Sequence, residues 1–230
     1  MTPGRQEGGV PGVGPVDWQS EADRLAAVSL AEGSPTAWFD RLYRSAAAGA
    51  VPMPWDRSAP SPPVAARVPE AIRPGARAVV VGCGLGADAE FLAGLGADVL
   101  AFDVSPTAVE LAAGRHPGSR VTYRQADLLD LPAEWAGGFD LVVEVFTVQA
   151  MPEDVRPEAT AAVAGLVAPG GTLLVVTVLR ETSTARADGP PWPLTPAQLA
   201  AFAAGDLEPG QMLPWPGPVP DLWWAEFHRP

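Results

Sequence analysis

The sequence predicts an α/β protein built on a mostly parallel sheet. Three observations lead there. Apolar, β-branched runs such as Val79-Val80-Val81 recur between residues 77 and 180. Stretches of about ten residues with helix start signals separate them. The first run empties into the glycine-rich turn Gly82-Cys83-Gly84-Leu85-Gly86 and then a helical pattern. Strands alternating with short helices imply βαβ units, whose ligands bind beyond the carboxyl ends of the strands.

The elements follow in order. Residues 1–16 are Gly/Pro-rich and read as a flexible tail. Ser20-Glu21-Ala22-Asp23 resembles a capping box, with an apolar stripe at Leu25, Val28 and Ala31. Ser34-Pro35 starts a second helix over about 35–48, carrying Trp38, Phe39, Leu42 and Tyr43. The proline-rich stretch VPMPWDRSAPSPP is then expected to exclude regular helix. ARAVVVG reads as a strand buried on both faces, ADAEFLAGLG as a helix and ADVLAFDVS as the next strand. Ser105-Pro106 opens another helix; RVTYRQADLLDLP and FDLVVEVFTVQ supply a third and fourth strand. A helix over about 157–167 precedes the fifth strand, GTLLVVTVLR. Thr195-Pro196-Ala197-Gln198 is a capping box, and PDLWWAEFHR alternates as a last strand.

Composition narrows the function. The 230 residues are 47% hydrophobic and carry a net charge of −12. All 15 basic residues are Arg. A chain this acidic repels phosphate backbones, so nucleic acid is not an expected partner. The absence of Lys rules out a lysine Schiff base or a Walker lysine. A single Cys and two His, His116 and His228, argue against a metal centre. With no apolar run long enough to span a bilayer and no secretory h-region, the expectation is a cytoplasmic protein without a membrane partner.

The glycine turn carries most of the chemistry. Its glycines permit a tight bend and close approach of a ligand to the backbone. Asp103, at the end of the next strand, lies 17 residues beyond Gly86, where a carboxylate can accept both hydroxyls of a ribose. Nicotinamide and S-adenosylmethionine sites both use such an acid. The spacing here is G-x-G-x-G, whereas pyrophosphate-binding turns prefer G-x-G-x-x-G. Asp127 follows the third strand, placed to accept an adenine amine, with the Leu128 N–H near a ring nitrogen. Glu144 interrupts the apolar fourth strand and is either a contact to cofactor or acceptor, or a marker of the strand end.

These residues, with Asp103-Val104-Ser105, the Pro169-Gly170-Gly171 turn and the aromatic last strand, resemble the class I S-adenosylmethionine-dependent methyltransferases. The resemblance covers about 75–230 as the catalytic fold and about 35–60 as a lid. WFDRLY, PMPWDR and the stretch from Gly86 to Ala112 look like the small-molecule group with thiopurine, halide/thiol and tellurite-resistance methyltransferases. It implies a Rossmann-like seven-stranded sheet with the last strand antiparallel, helices on both faces and an N-terminal helical lid. The divisions are then a tail (1–16), a lid and Pro-rich linker (17–70) and the methyltransferase domain (71–230). The implied cofactor, S-adenosyl-L-methionine, would be held by Gly82, Cys83, Gly84, Gly86, Asp88, Asp103, Val104, Ser105, Asp127, Leu128 and Glu144. Trp38 and Leu42 would lie over it. Many class I members place an acid where this chain has Val80, so backbone carbonyls or Asp88 must hold the cofactor's ammonium.

The acceptor expected is a small molecule with an S-, N- or O-nucleophile, a thiol being weakly favoured. Tyr43, Trp55, Gln149, Arg180 and Trp192 are the candidate acceptor contacts. Glu144 is the candidate catalytic base should the acceptor need one. The alternatives are a nicotinamide-dependent oxidoreductase, against which the glycine spacing speaks, and a non-catalytic S-adenosylmethionine-binding protein.

Overall fold

The computed structural model describes residues 17–180, 190–217 and 221–230. Its centre is a seven-stranded sheet in the order β3-β2-β1-β4-β5-β7-β6. The strands are β1 (Arg77–Val81), β2 (Asp98–Asp103), β3 (Thr122–Gln125), β4 (Phe139–Val145), β5 (Val167–Val178), β6 (Glu208–Pro214) and β7 (Leu222–His228). β1 to β5 pair in parallel, and β7 enters antiparallel between β5 and β6. This is the seven-stranded Rossmann-like arrangement expected, with the last strand reversed.

Alternation explains the unbroken apolar runs. Val79 and Val81 face one core cluster, and Ala78 and Val80 the other. In β5, Leu173 and Val175 share the first cluster and Leu174 and Val176 the second. A strand covered on both faces needs apolar residues at every position. The first face is covered by α6 (Arg156–Gly165) and α7 (Pro196–Ala200), through Ala159, Val163 and Leu199. The second is covered by α3 (Pro62–Ala71) and α4 (Ala87–Gly94), through Val64, Val68, Ala89 and Leu92. α5 (Pro106–Arg115) links β2 to β3 and is capped by the Ser105 hydroxyl.

Three local expectations are corrected. The first helix, α1 (Trp18–Ala31), starts earlier than the Ser20 box, because Asp17 accepts from the Gln19 and Ser20 amides. The proline-rich stretch does enter a helix: Pro62 and Pro63 occupy the first turn of α3, where no N–H partner is needed. β6 has no signal in the sequence because EPGQMLP is an exposed edge strand with no apolar alternation. The box at Thr195 and Gln198 is present as read.

α1 and α2 (Ala37–Ala47) form a small hairpin with its own core. Ala22, Leu25, Ala26, Trp38, Leu42, Ala46 and Val51 pack together, meeting the main domain at Ala150, while Tyr43 packs with Leu85 and Ala108. The tail over 1–16 lies outside the described residues.

Gly86 shows how the turn constrains its neighbours. Its φ is +90°, and an added Cβ would lie 2.3 Å from the Tyr123 hydroxyl, which is itself bonded to Glu90. Gly86→Ala is expected to cost about 1–3 kcal/mol, from left-handed strain plus the displaced phenol. Urea unfolding checks this. Adding Tyr123→Phe should recover part of the loss, and an unchanged midpoint for the single variant would refute it.

Candidate functional site

The order β2-β1-β4 places the reversal of strand order between β1 and β4. A cavity opens beyond the carboxyl ends of the strands there, as an open α/β sheet leads one to expect. Its floor comes from four post-strand segments. Gly82 to Leu85 follow β1, Asp103 and Val104 close β2, Ala126 to Leu128 follow β3, and Val145 to Thr147 with Ala150 and Met151 follow β4. Its cover comes from Thr36, Phe39 and Tyr43 beside α2 and from Trp55 and Arg57 of the linker.

Asp103 and Asp127 both lie in the cavity wall. Asp103 accepts from the Gly84 amide (3.0 Å) and the Ser105 amide (2.9 Å) through different oxygens. Each oxygen keeps a further acceptor position. Burial pushes its carboxyl up to about 6, against the pull of those amides, and nearby Asp40 adds to the rise. Asp127 takes the Leu129 amide on one oxygen (3.0 Å) and the Thr36 hydroxyl on the other (3.2 Å). The residue capping α2 therefore touches Asp127. The helix itself touches the Asp103 segment: Asp40 accepts from the Ser105 hydroxyl (2.8 Å) and the Thr107 amide (3.2 Å).

Several expected residues stand elsewhere. Trp38 is 0% exposed in the hairpin core beside Leu42, and it is Phe39, stacked on Trp38 at 3.9 Å, that faces the cavity. Thr36, Phe39 and Tyr43 are spaced i, i+3, i+7, one helical face, and the Trp38 face is turned away from it. Asp88 does not line the cavity. Its buried carboxylate accepts from the Ser61 amide and from Arg57, both at 2.6 Å. Ser105 caps α5, and Gly86 sits behind the turn rather than in the wall.

Glu144 is likewise outside the cavity. It is 1% exposed, and one carboxylate oxygen accepts the Thr147 (2.6 Å) and Val148 (2.9 Å) amides, closing the turn after β4. Burial raises its pKa to about 7. An acid whose folded pKa exceeds its unfolded one contributes stability fully below the unfolded pKa of about 4.5, and that contribution is lost as pH rises through 7. Glu144→Gln keeps the acceptor and removes the charge. It is expected to raise unfolding free energy by about 1–3 kcal/mol at pH 8, with the gap shrinking towards pH 4.5. Chemical denaturation at both pH values checks this; a destabilised variant at pH 8 would contradict it.

Among the acceptor candidates, Tyr43 and Trp55 line the cavity. Trp55 holds φ +50° and packs against Trp18, Trp38, Phe39 and Tyr43. Gln149 is buried under the floor, accepting from the Thr177 hydroxyl (2.6 Å) and the Val178 amide (2.8 Å). Trp192 also stays out of the wall, its amide donating to the Gln149 carbonyl (2.8 Å). Arg180 ends the strand region without reaching the cavity. Cys83 lines it, its thiol pushed up by burial.

Arg57 was missed as a site residue. In sequence it is one more surface cation, but the buried Asp88, 31 residues further along the chain, requires a partner, and that requirement was the available signal. Phe146 was also missed; it lines the cavity at φ +62°, a strained conformation for an aromatic residue. Among the described residues no cluster of three or more His, Cys, Asp or Glu is arranged for a metal ion. No helix there is long and apolar enough to cross a membrane.

Comparison with known proteins adds to this geometry. Residues 78–171 match the family model described as methyltransferase domain. A ubiquinone biosynthesis O-methyltransferase of Xanthomonas campestris pv. campestris (strain B100) is 34% identical over 173 residues, covering 70% of this chain. The chain spans 64% of the length of that relative. A structure from work on conversion of a disulfide bond into a thioacetal group during echinomycin biosynthesis superposes with a TM-score of 0.68 at 24% identity, covering 84% of this chain and 91% of its own. The N-methyltransferase NodS from Bradyrhizobium japonicum WM9, solved with S-adenosyl-L-homocysteine, gives 0.58 at 21% identity, covering 68% of this chain and 79% of its own.

Proposed function

We propose that the chain is a class I S-adenosylmethionine-dependent methyltransferase and that it methylates a small, uncharged, largely apolar acceptor, with a thiol favoured. Its place would be with the small-molecule group of thiopurine, halide/thiol and tellurite-resistance enzymes.

The residues present fit the cofactor. Asp103 offers free acceptor positions for a ribose diol, and Asp127 an oxygen for the adenine amine once Thr36 yields it. Arg57, oriented by Asp88, is the cation in the wall for a carboxylate, and the carbonyls of the glycine turn remain for the ammonium. The aromatic rings of Phe39, Tyr43 and Trp55 suit a sulfonium by cation–π attraction. Bound there, S-adenosylmethionine supplies an electrophilic methyl group for in-line displacement.

One observation carries the acceptor reading. Beyond Asp103 and Asp127, the described wall is largely apolar, with Phe39, Trp55, Phe146, Ala150 and Met151, and its other titratable side chains are Arg57, Cys83 and the Tyr43 phenol. Burial pushes that phenol well above its usual range. Glu144, the base expected from sequence, is turned into the floor. With Asp103 taken up by the ribose, a wall that offers the acceptor no further neutral-range base suits one that sheds its own proton to water, as a thiol does. Alignment and exclusion of water then supply the acceleration. The sulfur chemistry named for the echinomycin structure is in keeping with this. A hydroxyl acceptor is the second reading, favoured by the O-methyltransferase relatives.

Calorimetric titration with S-adenosylmethionine, S-adenosylhomocysteine and NAD tests the cofactor, and a turnover assay with thiophenol, phenol and aniline tests the acceptor. Micromolar binding of both sulfur ligands, no heat with NAD and fastest turnover of thiophenol are expected. Phenol as the preferred substrate would replace the thiol reading, and NAD binding would overturn the methyltransferase reading.

A further inference from the structure

Arg156 is a buried cation that the site described so far does not use. It is 4% exposed at the first position of α6, where a positive charge opposes the helix dipole. Its Nε donates to the Met151 carbonyl (3.0 Å) and its Nη2 to the carbonyls of Gln149 (3.2 Å) and Trp192 (3.1 Å). Its Nη1 reaches the Gln198 side-chain oxygen (3.5 Å), and the guanidinium lies 5.9 Å from the Trp192 ring centre. Among the described residues no carboxylate pairs with it.

Burying a guanidinium on neutral acceptors is costly beside an apolar residue of equal size. What it confers is geometry. A planar fork with five donors can bind several carbonyls at fixed angles, which an ammonium cannot. Here the carbonyls belong to two separate segments: the turn after β4, which places Ala150 and Met151 in the cavity wall, and residues 190–194, which follow β5. The Trp192 amide closes the same link on Gln149, and Gln149 is tied in turn to Thr177 and Val178 at the end of β5.

We propose that Arg156 is a positioning residue that clamps the Gln149–Met151 turn to the Trp192 segment and so sets the acceptor-side wall of the cavity, leaving the nucleoside side unaffected. The assignment of that wall to the acceptor rests on the function proposed above; the clamp itself rests on the contacts alone.

The test compares wild type with Arg156→Met and Arg156→Lys in the full chain. Hydrogen exchange, S-adenosylhomocysteine affinity, and kcat and KM with thiophenol are read in each. For Arg156→Met, exchange over 149–151 and 190–198 should accelerate at least tenfold while 82–88 is unchanged. KM for thiophenol should rise at least tenfold, with S-adenosylhomocysteine affinity within threefold. Arg156→Lys should fall between the two, and it serves alone should the methionine variant not fold. Unchanged exchange in both segments, or cofactor affinity lost as steeply as KM rises, would overturn the proposal. Should wild type not turn over thiophenol, the thiol reading fails, while the exchange and cofactor arms still decide the clamp.

Discussion

Asp103→Ala is expected to weaken S-adenosylhomocysteine binding about 100-fold, or roughly 3 kcal/mol. On the proposed reading the carboxylate takes the ribose diol, and removing it leaves both a lost charged acceptor and a turn whose Gly84 and Ser105 amides have no partner. Asp103→Asn separates the two effects. It keeps one oxygen for the backbone and lacks the charge, so its loss should be smaller, about tenfold. The pH dependence gives a second check. Because burial raises Asp103 to about 6, wild type should bind progressively more weakly as pH falls below 6, and the Asn variant should be flat across that range. Calorimetry at pH 5, 6, 7 and 8 measures all three proteins. Equal affinity for wild type and Asp103→Ala would remove the ribose assignment.

The second large effect concerns the hairpin as a lid. A chain starting at residue 57 should fold and lose turnover at least 100-fold, because water then reaches the site and alignment is lost. It should fold because the hairpin has its own core, and it meets the main domain at Ala150, through the small cluster of Tyr43 with Leu85 and Ala108, and through polar links such as Asp40 to Ser105. The two clusters covering the sheet remain whole. It should lose turnover because Phe39, Tyr43 and Trp55 leave the cavity together. Trp55→Ala, which removes one wall residue and the contact point of four aromatic rings, should give a smaller loss in the same direction. Circular dichroism confirms the fold, and released S-adenosylhomocysteine measures turnover. Full activity in the shortened chain would end the lid reading.

The parallel strands β1, β2, β4 and β5 were legible because both faces of each are largely buried, which leaves near-continuous apolar runs. The capping signals at Ser105 and Thr195 were legible because they are local bonds within four residues. β6 was not, since an exposed edge strand carries no burial pattern. Pro62 and Pro63 misled because proline excludes only the interior of a helix.

For the site, the sequence by itself determined the parts that sit directly after strands: the glycine turn, Asp103 and Asp127. Their place follows from the chain order, because a βαβ unit delivers every strand's carboxyl end to the same edge. Only the tertiary structure decided which side of α2 covers that edge, so that Phe39 and not Trp38 faces inward. It alone turned Glu144 into the floor, drew Asp88 into a bond with Arg57 and brought Arg156 beneath two segments far apart in sequence. Those outcomes depend on which of several chemically adequate partners comes within about 3 Å, and packing between distant segments sets that distance.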